Sequence, residues 1–242
     1  MEVCDLTAAI LFTAFGACTL VPYIFFRCKR KLMTGLLLKI PTSAFFLLTT
    51  SAAALACPAE LFEQYKFLFF GVIIGQIFGL MGDFWLDMKD MMPPHHDPLV
   101  FAGFTSFFIG HCFFIAGLFA TYGADLKTWL ITLGTGVVFG VFVALAEKPM
   151  KLKYGKFKAI AAGYSGIFGM SLAASLLTYF ATKQPQALVM NIGLLVFLLS
   201  DLFLSGTYFG EGKDRSVDYA LNYICYYGGQ FTIALSLLAV AA

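Results

Sequence analysis

Asp83 in GLMGDFWLD and Asp201 in VFLLSDLFL are carboxylates set inside long apolar runs, and His111 stands in a third, FTSFFIGHCFFIAG. Ionisable groups are costly in such surroundings, so they point to chemistry or to a polar path rather than to ordinary packing. Two carboxylates and an imidazole can move protons. A carboxyl that keeps its proton serves as general acid, an ionised one orients water and offsets a developing cation, and a histidine can relay between them. Lys39, in LLLKIPTSAFF, also lies within an apolar run, where it can pair with a carboxylate or meet a phosphate. Helical phase gathers further polar groups. Gln76, Asp83 and Asp87 are spaced by seven and four and share one helix face; Tyr219, Tyr223, Tyr226 and Gln230 form a second stripe, and Tyr164, Ser171 and Ser175 a third.

The elements that must carry these residues are membrane helices. Of the 242 residues 60% are hydrophobic and 12% charged, and the apolar residues fall into eight runs long enough to span a hydrocarbon core of roughly 30 Å. The runs are Leu6 to Phe26, Leu32 to Leu55, Phe67 to Leu86, Leu99 to Tyr122, Trp129 to Ala146, Ala159 to Phe180, Leu188 to Tyr208 and Tyr219 to Val240. The connections are short. The expected fold is therefore an all-α integral membrane protein, a bundle of eight transmembrane helices forming one domain over residues 1–242. The first run lacks a basic flank and a small-residue cleavage site, so it reads as a retained helix rather than a removable signal. Gly103, Gly110 and Gly117 recur every seven positions in the fourth run, a packing stripe. The six cysteines, Cys4, Cys18, Cys28, Cys57, Cys112 and Cys225, show neither a disulfide framework nor metal-ligand spacing, and a net charge of +2 argues for no nucleic-acid partner.

Basic residues orient the bundle. Arg27, Lys29, Arg30, Lys31, Lys89, Lys148, Lys151, Lys153, Lys156, Lys158, Lys213 and Arg215 fall in loops of one side, against Lys66, Lys127 and Lys183 on the other. Both termini are thus expected on the non-cytoplasmic side. At about 1.5 Å per helical residue, Asp83 is expected one turn inside the cytoplasmic end of its helix, Asp201 and Lys39 roughly 10 Å inside theirs, and His111 and Gln230 deeper still. An ion pair between Lys39 and Asp201 is one structural role open to both. The polar residues would then form a shaft descending from the cytoplasmic surface.

At these residues the chain resembles the YhhN-type lysoplasmalogenase family of eight-helix membrane proteins. The matching pieces are Lys39 with Pro41, Gly82-Asp83, His111, Ser200-Asp201 and the tyrosines and glutamine of YICYYGGQFTIALS, in order on successive helices. Phe114 departs from the pattern, since relatives often carry tyrosine there. The resemblance implies hydrolysis of the vinyl ether of a lysophospholipid, the lysoplasmalogen, to a fatty aldehyde and a glycerophospho-base. Such cleavage passes through an oxocarbenium ion, as glycosidases do between two carboxylates, and calls for no cofactor or metal. On that basis Asp201 is expected as general acid and Asp83 as the wetter, water-orienting base, the reverse being open; His111 completes the relay. Lys39, Gln76, Tyr164, Tyr223, Tyr226 and Gln230 are expected to bind substrate, with the chain among phenylalanines and membrane lipids around it. The host would be a bacterial inner membrane or a eukaryotic endomembrane. The same residues also suit a proton-coupled transporter or channel. A metal-dependent lipid hydrolase using His95, His96, Asp97, His111 and the aspartates is a third class.

Overall fold

The structure, a computed structural model, describes residues 6–210 and 215–240. Cys4 and Lys213 lie outside the described residues. Eight α-helices follow one another: α1 Thr7–Cys28, α2 Leu32–Ala56, α3 Ala59–Met91, α4 His96–Tyr122, α5 Leu126–Ala146, α6 Lys158–Thr182, α7 Pro185–Phe209 and α8 Ser216–Ser236. Each is long and apolar enough to cross a membrane. In an apolar medium every backbone group must find its partner within the chain, which is why such runs form helices. No strand occurs among the described residues, where a single bridge pairs Leu152 with Gly210.

All eight expected runs are helices, and α3 corrects its expected bounds. It has 33 residues, about 50 Å, and extends past the apolar run at both ends. Pro58 precedes it and Glu60 lies in its first turn, both favourable at a helix start. At the far end Asp87, Lys89 and Asp90 stay helical because each has an oppositely charged partner.

Helices pair as α1 with α2, α3 with α4, α5 with α6 and α7 with α8; α2, α3, α4, α6, α7 and α8 enclose the core. Without a hydrophobic drive between helices in lipid, close backbone approach supplies the packing. A Cβ on Gly71 of α3 would come within 2.7 Å of the Gly117 Cα on α4, and one on Gly229 of α8 within 2.8 Å of the Gly193 carbonyl on α7. The glycine stripe of α4 is thus the α3 contact. Outermost, α1 and α5 expose Val21, Phe142 and Leu145, as lipid-facing helices do.

The loop between α5 and α6 is fastened to the end of α7. The Lys153 N–H donates to the Phe209 carbonyl at 2.8 Å. Glu147 accepts the Tyr154 N–H at 2.9 Å and Lys158 at 2.9 Å.

Candidate functional site

Asp83, Asp87 and Asp90 follow one another at four and three residues, so α3 presents all three on one face. Across from them, Lys39 and Ser43 stand four apart on α2. Lys39 Nζ lies 3.2 Å from Asp83 and 3.1 Å from Asp87. Arg27, in the last turn of α1, pairs with Asp90 and lies 3.6 Å from Asp87, while its Nε donates to the Tyr223 hydroxyl at 3.0 Å. Lys89 binds Asp90 at 2.5 Å and covers the Tyr208 ring at 4.1 Å. Three cations and three carboxylates thus form one cluster, neutral when all are ionised. Buried charges persist only when compensated in this way.

Within the cluster Asp83 has the fullest set of donors. Its Oδ1 faces Lys39; its Oδ2 accepts Ser43 Oγ at 2.6 Å and the Tyr226 hydroxyl at 2.8 Å. Ser43, having given its proton to Asp83, accepts the Tyr227 hydroxyl at 2.9 Å. An ionised carboxylate accepts and does not donate, so this set suits the ionised form.

Asp201 on α7 has a different setting. Its Oδ2 accepts the Tyr164 hydroxyl of α6 at 2.7 Å, and no cation pairs with it among the described residues. It is only half-buried, whereas Asp83 is 4% exposed, so the expectation that Asp83 is the wetter carboxylate is reversed. Neighbouring Ser200 is held by Asn222 of α8, which donates to its carbonyl at 2.9 Å. That bond fixes α7 against α8 beside Asp201.

Both carboxylates line one narrow cavity of about 30 Å³, with Lys39, Tyr164, Tyr223 and Tyr226. That is room for about one or two waters. On the other side of Asp201 and Tyr164 lies an apolar groove of about 470 Å³, walled by Phe139, Phe142 and Val143 of α5, Phe168 of α6 and Leu198 of α7. The Asp201–Tyr164 pair therefore stands between the cavity that holds both carboxylates and a groove suited to a hydrocarbon chain.

Six of the nine expected site residues meet at this cavity: Lys39, Asp83, Tyr164, Asp201, Tyr223 and Tyr226. The other three lie behind it. Gln76 accepts Thr50 Oγ1 at 2.6 Å and donates to the Gln230 carbonyl at 3.1 Å; Gln230 reaches the Tyr226 hydroxyl at 3.5 Å. Gln76 is thus drawn into bonds between helices, whereas the Gln230 side chain bonds within α8 and its Oε1 is buried with no partner among the described residues. His111 pairs with Ser171 at 3.0 Å and is enclosed by Phe114, Tyr164, Phe168 and Phe197. It touches neither carboxylate. His95 and His96 lie at a turn before α4, where His96 pairs with the exposed Asp97.

Two expected placements are corrected. Lys39 pairs with Asp83 and Asp87, not with Asp201. Asp83 and Asp201 each stand eight residues, about 12 Å, from the end of their helices, so Asp83 is not the shallower. Missed were Arg27, Lys89 and Asp90 as members of the cluster, together with Ser43 and Tyr227, while Asp87 was placed on the face of Asp83 but given no partner. Asp87 and Ser43 each carried a signal, their four-residue spacing from Asp83 and Lys39.

Neither curated proteins nor solved structures yield a match to the chain. A sequence model of the YhhN family matches residues 38–237, from the turn of α2 that carries Lys39 to the end of α8, and so takes in the whole cavity. With most of its length matched, the chain belongs to the YhhN family.

Proposed function

We propose that the protein hydrolyses the vinyl ether bond of a lysophospholipid, releasing a fatty aldehyde and a glycerophospho-base. The observation that carries the reading is the unequal setting of two carboxylates on one cavity. Asp83 has Lys39, Ser43 and Tyr226 for partners; Asp201 has, among the described residues, Tyr164 alone. Contrasting environments of this kind divide acid from base.

The Asp201 carboxyl gives its proton to the β-carbon of the enol ether, whose π electrons form the new C–H bond and leave an oxocarbenium ion. The Asp83 carboxylate offsets that charge and takes a proton from water as the water oxygen bonds to the cationic carbon. The resulting hemiacetal then loses its glycerol oxygen, which receives the proton from Asp83, while the hemiacetal hydroxyl returns a proton to Asp201. One water is consumed and both carboxyls regain their starting states. The single hydrocarbon chain lies in the groove of α5, α6 and α7, so that its first carbons pass Asp201.

Exchange of Asp201 for Asn removes the proton donor yet keeps an oxygen for Tyr164 to bind. Loss of general acid catalysis lowers turnover by about 10²–10⁴-fold. Purified wild type and Asp201→Asn are compared on alkenyl and matched acyl lysophospholipids, assaying aldehyde and fatty acid. Near-normal aldehyde release by the variant removes Asp201 from the mechanism, and fatty acid release by wild type replaces the reaction with ester hydrolysis.

One observation favours a second reading, proton-coupled transport. From Asp83 polar groups continue to Tyr226 and the Gln230 side chain, and beyond them the Gln230 carbonyl is bonded to Gln76 and Gln76 to Thr50. Flux in proteoliposomes without aldehyde release would favour it over hydrolysis.

A further inference from the structure

A lysophospholipid carries a phosphate, and the hydrolytic reading needs a place for it. Lys39, the cation nearest the carboxylates, is committed to Asp83 and Asp87. A separate pocket of about 440 Å³ opens at the lysine-rich helix ends, lined among others by Lys89, Asp90, His96, Lys153, Lys156 and Tyr208. Among the described residues three lysines and a histidine line it with one carboxylate, Asp90, which is bound by Lys89 and Arg27, while His96 pairs with Asp97 at 3.0 Å. Lys156 pairs with Asp97, whose side chain is 41% exposed, and exposed pairs of this kind hold weakly. A phosphate can therefore compete for Lys156. Lys153 sits where the loop after α5 is fastened to Phe209.

Shared walls tie this pocket to the site. Tyr208 lines both the basic pocket and the Asp83–Asp201 cavity, and Tyr154 lines both the basic pocket and the apolar groove. Tyr208 and Asp201 are seven residues apart on α7, on one face and about 10 Å along the axis. Seven bonds separate the phosphorus of a lysophospholipid from the vinyl carbon that takes the proton. An extended chain covers roughly 3.3–3.6 Å per three bonds, so that distance is about 8 Å. A phosphate beside Tyr208 and a vinyl ether at Asp201 fit one molecule.

We propose, resting on the hydrolytic reading, that the basic pocket is the subsite for the substrate's phosphodiester, with Lys153 and Lys156 as its cations. The lipid then lies bent over Asp201, its phosphate at the lysines and its chain in the groove of α5, α6 and α7. Lysine serves here as a point charge toward a ligand whose remaining headgroup reaches water.

The test is binding, measured by calorimetry on the detergent-purified full chain with two uncleavable ligands, a saturated-ether lysophospholipid and the corresponding alkylglycerol, which lacks phosphate. Wild type binds the phosphate-bearing ligand about tenfold or more tightly, and Lys153→Ala/Lys156→Ala brings the two ligands within about twofold, with alkylglycerol affinity retained. Lys156→Glu disfavours the phosphate-bearing ligand further. The proposal is overturned if wild type shows no such preference, if the preference survives in the double variant, or if both ligands are lost together. Inorganic phosphate binding wild type as tightly as the phosphate-bearing lipid would mark a site for free phosphate and overturn the assignment to a lipid. Because neither ligand has a vinyl ether, failure of the hydrolytic reading shows separately, in the aldehyde assay.

Discussion

Replacing Lys39 by Met leaves the charge cluster with two cations, Arg27 and Lys89, against Asp83, Asp87 and Asp90. The side chains concerned are 6% exposed for Lys39 and Asp83 and 3% for Asp87, so solvent does not step in. Removing one partner of a buried pair costs about 3–5 kcal/mol, and Lys39 serves two carboxylates, which places the loss in the upper part of that range. For a chain of this size about 1 kcal/mol moves the melting temperature by roughly 2–4 °C, so a loss of about 4–5 kcal/mol should make Lys39→Met melt about 8–20 °C below wild type. Asp83→Asn leaves the opposite imbalance and is destabilising alone. Combined with Lys39→Met, however, it restores neutrality: the amide oxygen that replaces the Asp83 carboxylate still accepts from Ser43 and Tyr226, and Asp87 keeps Arg27. The double variant should therefore melt above Lys39→Met, with a coupling energy of about 2 kcal/mol or more. The assay is tryptophan fluorescence in detergent at one fixed scan rate, since membrane proteins often unfold irreversibly. A Lys39→Met protein melting within about 2 °C of wild type, or Asp83→Asn costing the same in both backgrounds, would refute a cluster held by charge balance.

Two further outcomes follow from the walls of the site. Val143→Trp, which narrows the apolar groove, should lower kcat/KM for long alkenyl chains relative to short ones by roughly tenfold to a hundredfold, because a displaced chain misplaces the vinyl ether; an unchanged chain-length profile would put the chain elsewhere. The hydrogen bond from Lys158 and the Tyr154 N–H hold the Glu147 carboxyl below its ordinary value. A depressed carboxyl stabilises above its unfolded value, about 4.3, and loses that contribution as the pH falls through the folded value. Amide exchange at Tyr154, corrected for intrinsic rate, should thus stay slow near pH 6 and quicken only below about pH 4, whereas in Glu147→Gln the pH dependence should vanish.

The helices could be read from hydropathy because their apolar lengths are set by the medium, and all eight emerge. Convergence on the cavity was also readable, because helical phase alone aligns Asp83 on α3 with its face and Tyr223 and Tyr226 on α8 with theirs. What phase does not carry is the rotation and crossing of one helix against another, which decide partners. Lys39 stood at a depth that suited Asp201, yet α2 packs on α3 and not on α7, so it meets Asp83 and Asp87. Arg27 and Asp87 lie near helix ends, where a charge that anchors at the interface and one that is folded inward have the same sequence signature. Their burial, 6% and 2% exposed, follows only from the neighbours that α1 and α3 acquire.

Polarity inside an apolar run is therefore an incomplete guide to chemistry. Gln76 is held by Thr50 and the Gln230 carbonyl and so is explained without a substrate, whereas Gln230 Oε1 and His111 Nε2 are buried with no hydrogen-bond partner among the described residues. Asp87 and Asp90 are explained by Arg27, Lys39 and Lys89. Asp83 belongs to that balance too, but it also faces the cavity with three donors already in place, which makes it a carboxylate prepared to meet a cation or to take a proton. Asp201 alone among the carboxylates of the site has no countercharge among the described residues and stands between the cavity it shares with Asp83 and the apolar groove. No structural economy accounts for it: an amide or a hydroxyl would serve Tyr164 as well. A carboxyl kept there despite that cost is best explained by a proton it delivers at the boundary where a hydrocarbon chain ends and a polar glycerol begins.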